Sequence, residues 1–324
     1  MAKEASGTAD KRPVAVVGGG AWGLALAAAA ALAGNETWLH SRRQKALSLP
    51  EGVRRISGFD EIGHRTRLII LAVPSAHAAE VASELGDHID GRHHVVHGIR
   101  GLSGEGLTPI SDVIRKESPA HRIGALGGPA LASDLILGRP SVMVAGSAYP
   151  EVCEALLAAF VSPTLRLYTT PDLRGLEWAS ALVGGLAIGV GYAEGVGIGA
   201  GLLAAFISRG VQEAARIAAS AGGNERTLFG LAGYGDLLAS VEQRDRPEVM
   251  VGTALAEGKS LDAALARAKL RVEAVELIPR VVRFAESHGV RAPIFRALAN
   301  DVLAGKPKEQ IVRDLMTGPV EDQI

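Results

Sequence analysis

The chain's 324 residues, 48% hydrophobic and 21% charged, suit one large domain or two ordinary ones and can bury a full core, which excludes a disordered chain. With 34 basic residues against 35 acidic ones the formal net charge is -1, so the electrostatic footprint of a nucleic-acid binder is missing. The single cysteine, Cys153, excludes an internal disulfide framework and a multi-cysteine metal site, and fits a reducing cytoplasm.

In chain order, Met1 to Arg12 is small and charged, lacks the apolar run of a secretion signal, and is expected to be flexible. Val14 to Val17 reads as a fully buried parallel strand, followed at once by Gly18-Gly19-Gly20-Ala21-Trp22-Gly23. Trp22 to Ala33 reads as an Ala-rich helix, stopped by Gly34-Asn35. Further strands are expected at 37–40, 68–73, 94–96 and 141–144. After Asp172 strand signals fade, and amphipathic helical patterns follow at 209–218, 261–268 and 275–288. The expected architecture is therefore α/β: a Rossmann-type doubly wound parallel sheet over 1–172, then an all-helical domain over 173–324 for substrate and dimerisation.

Ala179 to Phe206 invites a membrane-spanning reading, but it is rich in Gly and Ala and interrupted by Glu194. Tightly packed helices, with no membrane insertion, are the better expectation. Gly195, Gly197, Gly199 and Gly201 lack the Lys-Ser/Thr of a phosphate loop and are likewise assigned to helix packing. His93 and His94, adjacent on a strand, point to opposite faces and cannot share a metal, and no cysteine or carboxylate joins them and His97 at ligand spacing, so no metal is expected. Glu242, Asp245 and Glu248 read as a solvated charged loop.

A Gly-x-Gly-x-x-Gly directly after a strand and opening a helix is the context its mechanics require. Gly18 permits the tight turn, Gly20 lets backbone amides approach a pyrophosphate, and Gly23 lets helix and strand pack closely. At the end of the second strand, His40-Ser41-Arg42-Arg43 replaces the carboxylate that would bind a ribose 2′-hydroxyl. Arginine there suits a 2′-phosphate, so the expected cofactor is NADP in preference to NAD.

The sequence resembles the NAD(P)-dependent glycerol-3-phosphate dehydrogenases over nearly its whole length. The likeness runs through Gly18 to Gly23, Val73-Pro74-Ser75, Arg100-Gly101-Leu102 and Gly128-Pro129-Ala130-Leu131-Ala132. It continues through Ala187-Ile188-Gly189, Ser208-Arg209-Gly210, Ala232 to Leu237, Glu273 and Ala292-Pro293-Ile294. The resemblance implies a cytoplasmic homodimer that interconverts glycerol 3-phosphate and dihydroxyacetone phosphate for phospholipid synthesis, seating a phosphorylated triose between its domains. It implies a nucleotide site of Gly18, Gly20, Ala21, Trp22, Gly23, Arg42, Pro74, Ala132 and Glu273. On the substrate side it implies Arg100, Gly128, Asp236 and Arg246, with Asp236 and Arg100 in the catalytic roles.

The departures are concentrated on that substrate side. Where the family carries Ala-Val-Lys-Asn, with the lysine as general acid-base, this sequence has Ala181-Leu182-Val183-Gly184. Arg100 stands for the lysine of a Lys-Gly-Leu motif and keeps the charge, but it is a poor proton donor. Ala130 replaces a hydroxyl residue, and the phosphate-binding Arg-Asn pair falls on Pro247-Glu248, with Arg246 one position away. Two other readings stand beside the family activity. One is a non-catalytic dinucleotide-binding relative that senses redox state or acts through a partner. The other is a dehydrogenase for a less polar substrate, because Val183, Gly184 and Ala130 would line an apolar pocket.

Overall fold

The computed structural model describes residues 13–42 and 48–311; the expected flexibility of 1–12, and Arg43, lie outside them. Eight strands form one sheet: β1 (Val14–Val17), β2 (Thr37–His40), β3 (Val53–Arg55), β4 (Leu68–Leu71), β5 (His94–His97), β6 (Arg122–Gly127), β7 (Ser141–Gly146) and β8 (Leu165–Thr170). Their spatial order is β3-β2-β1-β4-β5-β6-β7-β8. The chain divides into two compact units, one through Trp178 and one from Ala179.

β1 is buried at all four positions, as a central parallel strand covered on both faces must be. It pairs in parallel with β2 on one side and β4 on the other, so the direction of winding reverses at β1. Val17, His40, Leu71 and His97 are in register at the ends of β1, β2, β4 and β5. The loops that follow these four residues therefore emerge from the same edge of the sheet, where ligands of open α/β folds bind.

The sheet is not wholly parallel. β7 runs antiparallel to β6, and β8 then runs parallel to β7. Between β6 and β7 lies only a five-residue helix, Ala132–Ile136, too short to carry the chain back for a parallel crossover. The strands without a sequence signal have plain reasons for it. β3 is a charged edge strand, β6 is diluted by Gly124 and Gly127, and β8 alternates as Leu-Arg-Leu-Tyr with half its side chains exposed.

Alanine, the strongest helix former, fills the Ala21–Leu32 helix and lets its buried face lie close to the sheet. Gly34 ends it in a left-handed conformation, and the Asn35 amide donates to the carbonyls of Ala30 at 2.9 Å and Ala159 at 2.7 Å. One side chain thus satisfies the open ends of two helices. At the end of β5, His97 shares a buried network with Glu177. His97 Nε2 lies 3.0 Å from a Glu177 oxygen, and the carboxylate also accepts from the Ser111 amide and hydroxyl, each at 2.7 Å.

The second unit contains no strand among its described residues. The Leu173–Val196 helix is long and apolar enough to cross a membrane by length and composition, yet 83% of its most apolar window is buried within the protein. Glycines explain how: a Cβ on Gly191 would collide with the Val249 backbone, and one on Gly252 with the Ile188 carbonyl. The two helices therefore touch backbone to backbone. Gly195 packs in the same way against Ala256, but Gly197, Gly199 and Gly201 do not. Nothing lies within 4 Å of a Cβ at any of these three, and Gly197, with φ 78°, supplies a left-handed turn between two helices. None of the three serves the close packing expected from composition, and only Gly197 is required by its conformation.

Candidate functional site

The first unit contributes the loops at the carboxyl ends of β1, β2, β4, β5 and β6. Gly18 sits at φ 128° with its amide 2.9 Å from the His40 carbonyl, and a Cβ there would strike the Ala72 carbonyl. Gly23 is equally confined, because its Cβ would strike the Gly18 carbonyl. Gly20 is the opposite case: a Cβ would meet nothing within 4 Å. Two glycines are thus demanded by packing, whereas the middle one leaves space that only an outside group could fill. The helix behind it starts at Ala21, has no side-chain cap and carries no acidic residue in its first turn. Its amides and positive dipole end are available for a phosphate. The site fits a dinucleotide.

Three other expected nucleotide residues lie in segments that follow strands of the same sheet. Arg42 is exposed just beyond β2, Pro74 is exposed beyond β4, and Ala132 opens the short helix beyond β6. Trp22 is half-buried, with its indole nitrogen against Gly98, where a Cβ would come within 2.7 Å of it. Arg100, also half-buried, donates from Nη2 to the Gly128 carbonyl at 3.1 Å. That bond ties the loop after β5 to the one after β6, where Gly128 holds φ 99°. Ala130 is buried beside it.

The second unit contributes a different kind of centre. A single π-helical turn, Leu231–Gly235, delivers Asp236 to the start of a short helix, a geometry that recurs at functional positions. Asp236 is fully buried and Arg246 is 2% exposed. Arg246 Nη1 donates to Asp236 Oδ1 at 2.9 Å and to the Asp236 carbonyl at 3.1 Å, while its Nε donates to Glu248 at 3.3 Å. Burial works against the guanidinium's charge, but the carboxylates of Asp236 and Glu248 outweigh it and raise the Arg246 pKa. Arg246 is therefore a permanent cation held between two carboxylates.

One expectation is corrected here. Glu248 is not a solvated loop residue: it lies in the first turn of the Pro247–Ala256 helix, its side chain 15% exposed and turned to Arg246. Arg246 Nε and Nη1 serve Glu248 and Asp236, while its buried Nη2 has no hydrogen-bond partner among the described residues. The Arg-Pro-Glu run was the only signal of this, since Pro starts a helix readily and places both flanking charges at its N-terminus.

Val183 is 1% exposed on the Leu173–Val196 helix, where the resemblance would have a lysine. A Cβ on Gly184 would lie 3.3 Å from Ala274 Cβ and 3.8 Å from Glu248 Oε1. Glu248 thus approaches the place where the family carries an amide. Glu273 opens the Glu273–Ser287 helix, half-buried beside Ala274. No cluster of three or more potential metal ligands occurs among the described residues.

Comparison with known proteins agrees along the chain. Residues 40–153 match the family described as the NAD-dependent glycerol-3-phosphate dehydrogenase N-terminus, and residues 172–313 match its C-terminus. A glycerol-3-phosphate dehydrogenase (NAD(P)+) of Brucella ovis is 30% identical, covering 96% of this chain and 98% of its own. One from Agathobacter rectalis is 28% identical, covering 94% and 95%. The crystal structure of glycerol-3-phosphate dehydrogenase from Coxiella burnetii superposes with a TM-score of 0.87 over 95% of this chain and 99% of that one, at 24% identity.

Proposed function

Because this chain belongs to the NAD-dependent glycerol-3-phosphate dehydrogenase family, we propose that it is an NAD(P)-dependent oxidoreductase that interconverts glycerol 3-phosphate and dihydroxyacetone phosphate. The observation that carries the reading is the contrast within one turn: Gly18 and Gly23 are closed by packing, and Gly20 opens onto an uncapped helix N-terminus. A bound nicotinamide dinucleotide would supply or accept the hydride. The turn from Gly18 to Gly23 would hold its pyrophosphate, with Pro74, Ala132 and Glu273 contributing to the same site. Exposed Arg42 supports NADP over NAD, since a guanidinium pairs with a 2′-phosphate as it would not with a hydroxyl.

Arg100 and Arg246 would orient the anionic triose, and Asp236 would fix Arg246 and accept from a substrate hydroxyl. Neither arginine can release a proton near neutrality, and Val183 has none to give. The proton must then pass to or from water. General acid-base help is worth about 10² to 10⁴-fold, so turnover is expected to fall short of a lysine-bearing enzyme by about that factor. We further place the protein in the cytoplasm as a homodimer, a reading supported by its family and its single cysteine.

The test is NADPH and NADH oxidation with dihydroxyacetone phosphate at high protein concentration, alongside direct titration of each nucleotide. Slow turnover lost in Asp236→Asn supports the reading. The burial of Val183 and the enclosure of Arg246 by two carboxylates favour a second: a dinucleotide-binding relative without catalysis, or one acting on a less polar hydroxy or keto compound. Tight nucleotide binding with no turnover on any such compound would select the non-catalytic form.

A further inference from the structure

The opposite edge of the sheet carries a second feature, independent of the dinucleotide turn. Pro13 precedes β1, Arg67 precedes β4 and His93 precedes β5, and these strands are neighbours running in parallel. Their amino ends, with the end of the Phe59–Arg65 helix, enclose a cavity of about 510 Å³. Arg65, Arg67, Arg92, His64 and His93 line it, and no carboxylate among the described residues does.

The cavity is a built structure. His93 is buried and spans it, with Nε2 3.0 Å from the Gly63 carbonyl and Nδ1 accepting the Asp90 amide at 3.0 Å. Nδ1 also lies 3.1 Å from an Asp90 carboxylate oxygen, so His93 is a strut that fixes two loops to each other. Arg92 is held in place by Asp90, from Nε at 2.9 Å and Nη2 at 2.6 Å. Arg65 is held by Glu61 at 2.8 Å and lies over the Trp38 ring. Arg67 differs from both. Its carbonyl is fixed by the His94 amide at 2.7 Å, yet its side chain makes no hydrogen bond or ion pair among the described residues.

We propose that this cavity is a second ligand site, taking the phosphate group of a small anionic molecule with Arg67 as its principal contact. Asp90 and Glu61, neither of them a lining residue, hold two guanidiniums, and the third, that of Arg67, has no partner among the described residues. The planar fork of arginine matches phosphate oxygens in pairs, and a concave wall without carboxylates imposes no repulsion. The site lies at the amino ends of the strands, so its occupant does not compete with a nucleotide at the carboxyl ends.

The phosphate could belong to a free metabolite or to a lipid headgroup, and one experiment separates them. Inorganic pyrophosphate is titrated calorimetrically into the full chain at low ionic strength with saturating NADPH, which keeps the probe out of the dinucleotide turn. Sedimentation with phosphatidylglycerol and phosphatidylcholine vesicles runs in parallel. Saturable one-site pyrophosphate binding, weakened about tenfold or more in Arg67→Gln and less in Arg67→Lys, supports the site, with NADPH affinity and melting temperature unchanged. Sedimentation with phosphatidylglycerol alone, lost in Arg67→Gln, assigns the phosphate to a lipid. No saturable binding of either probe, or binding indifferent to Arg67→Gln, overturns the proposal.

Discussion

Arg246 Nη1 sits 2.9 Å from Asp236 Oδ1, with both side chains removed from water. Two residues ten positions apart thus form the most deeply buried ion pair among the described residues of the second unit. Removing Asp236 would leave the buried Arg246 cation with Glu248 alone, at a cost of up to about 3–5 kcal/mol. Asp236→Ala is expected to lower stability within that range in urea unfolding. The double change Asp236→Leu with Arg246→Met should recover most of it, because the only charge left behind is that of the partly exposed Glu248. Equal loss in the single and double variants would show that the pair itself contributes little.

The three glycines of the turn should separate folding from binding. Gly23→Ala forces a Cβ into the Gly18 carbonyl, so it is expected to lower the melting temperature by several degrees. Gly20→Ala meets nothing within 4 Å and should melt like the parent protein. Its nucleotide affinity should nonetheless fall about tenfold or more, as its methyl group takes the space that a pyrophosphate needs. Unchanged affinity in Gly20→Ala would remove the assignment of this turn to a dinucleotide.

The proposed preference for NADP rests on Arg42, which is exposed just past the end of β2. Arg42→Ala should weaken NADPH by about 1.5–3 kcal/mol, the worth of a hydrogen bond to a charged group, and leave NADH nearly untouched. Parallel fluorescence titrations of the two nucleotides check this. Equal weakening of both would place Arg42 on the shared part of the cofactor.

Restoring a proton donor tests how far the pocket has drifted. Val183→Lys with Gly184→Asn should raise kcat for dihydroxyacetone phosphate reduction. The structure adds a condition: a Cβ at position 184 comes within 3.8 Å of Glu248 Oε1. Adding Glu248→Asn removes that carboxylate and one of the two anions holding Arg246, so the triple variant should exceed the double in kcat/KM. No gain in either would mean that the pocket has been rebuilt for another substrate.

Much of this protein was legible from local pattern. A strand of four β-branched or small apolar residues, followed at once by a glycine turn and an alanine-rich helix, gave β1 and the nucleotide cradle, because these depend on neighbours in sequence. The Leu261–Ala268 helix and the change of character near Asp172 followed from periodicity in the same way. The valine at position 183, where the resemblance implies a lysine, is likewise a matter of residue identity alone.

What tertiary structure alone decided are the relations between residues that no local rule connects. β7 turns antiparallel because its connection is too short to return, and β3, β6 and β8 join the sheet through neighbours that supply what their own composition lacks. Glu248 reads as a surface charge until a helix start turns it onto Arg246. Arg67 and Arg92 carry no signal in the sequence, and the order of β4 and β5 in the sheet brings them to one cavity. Sequence states which charges exist. Whether a charge is solvated, paired or left open depends on burial and direction, which only packing supplies.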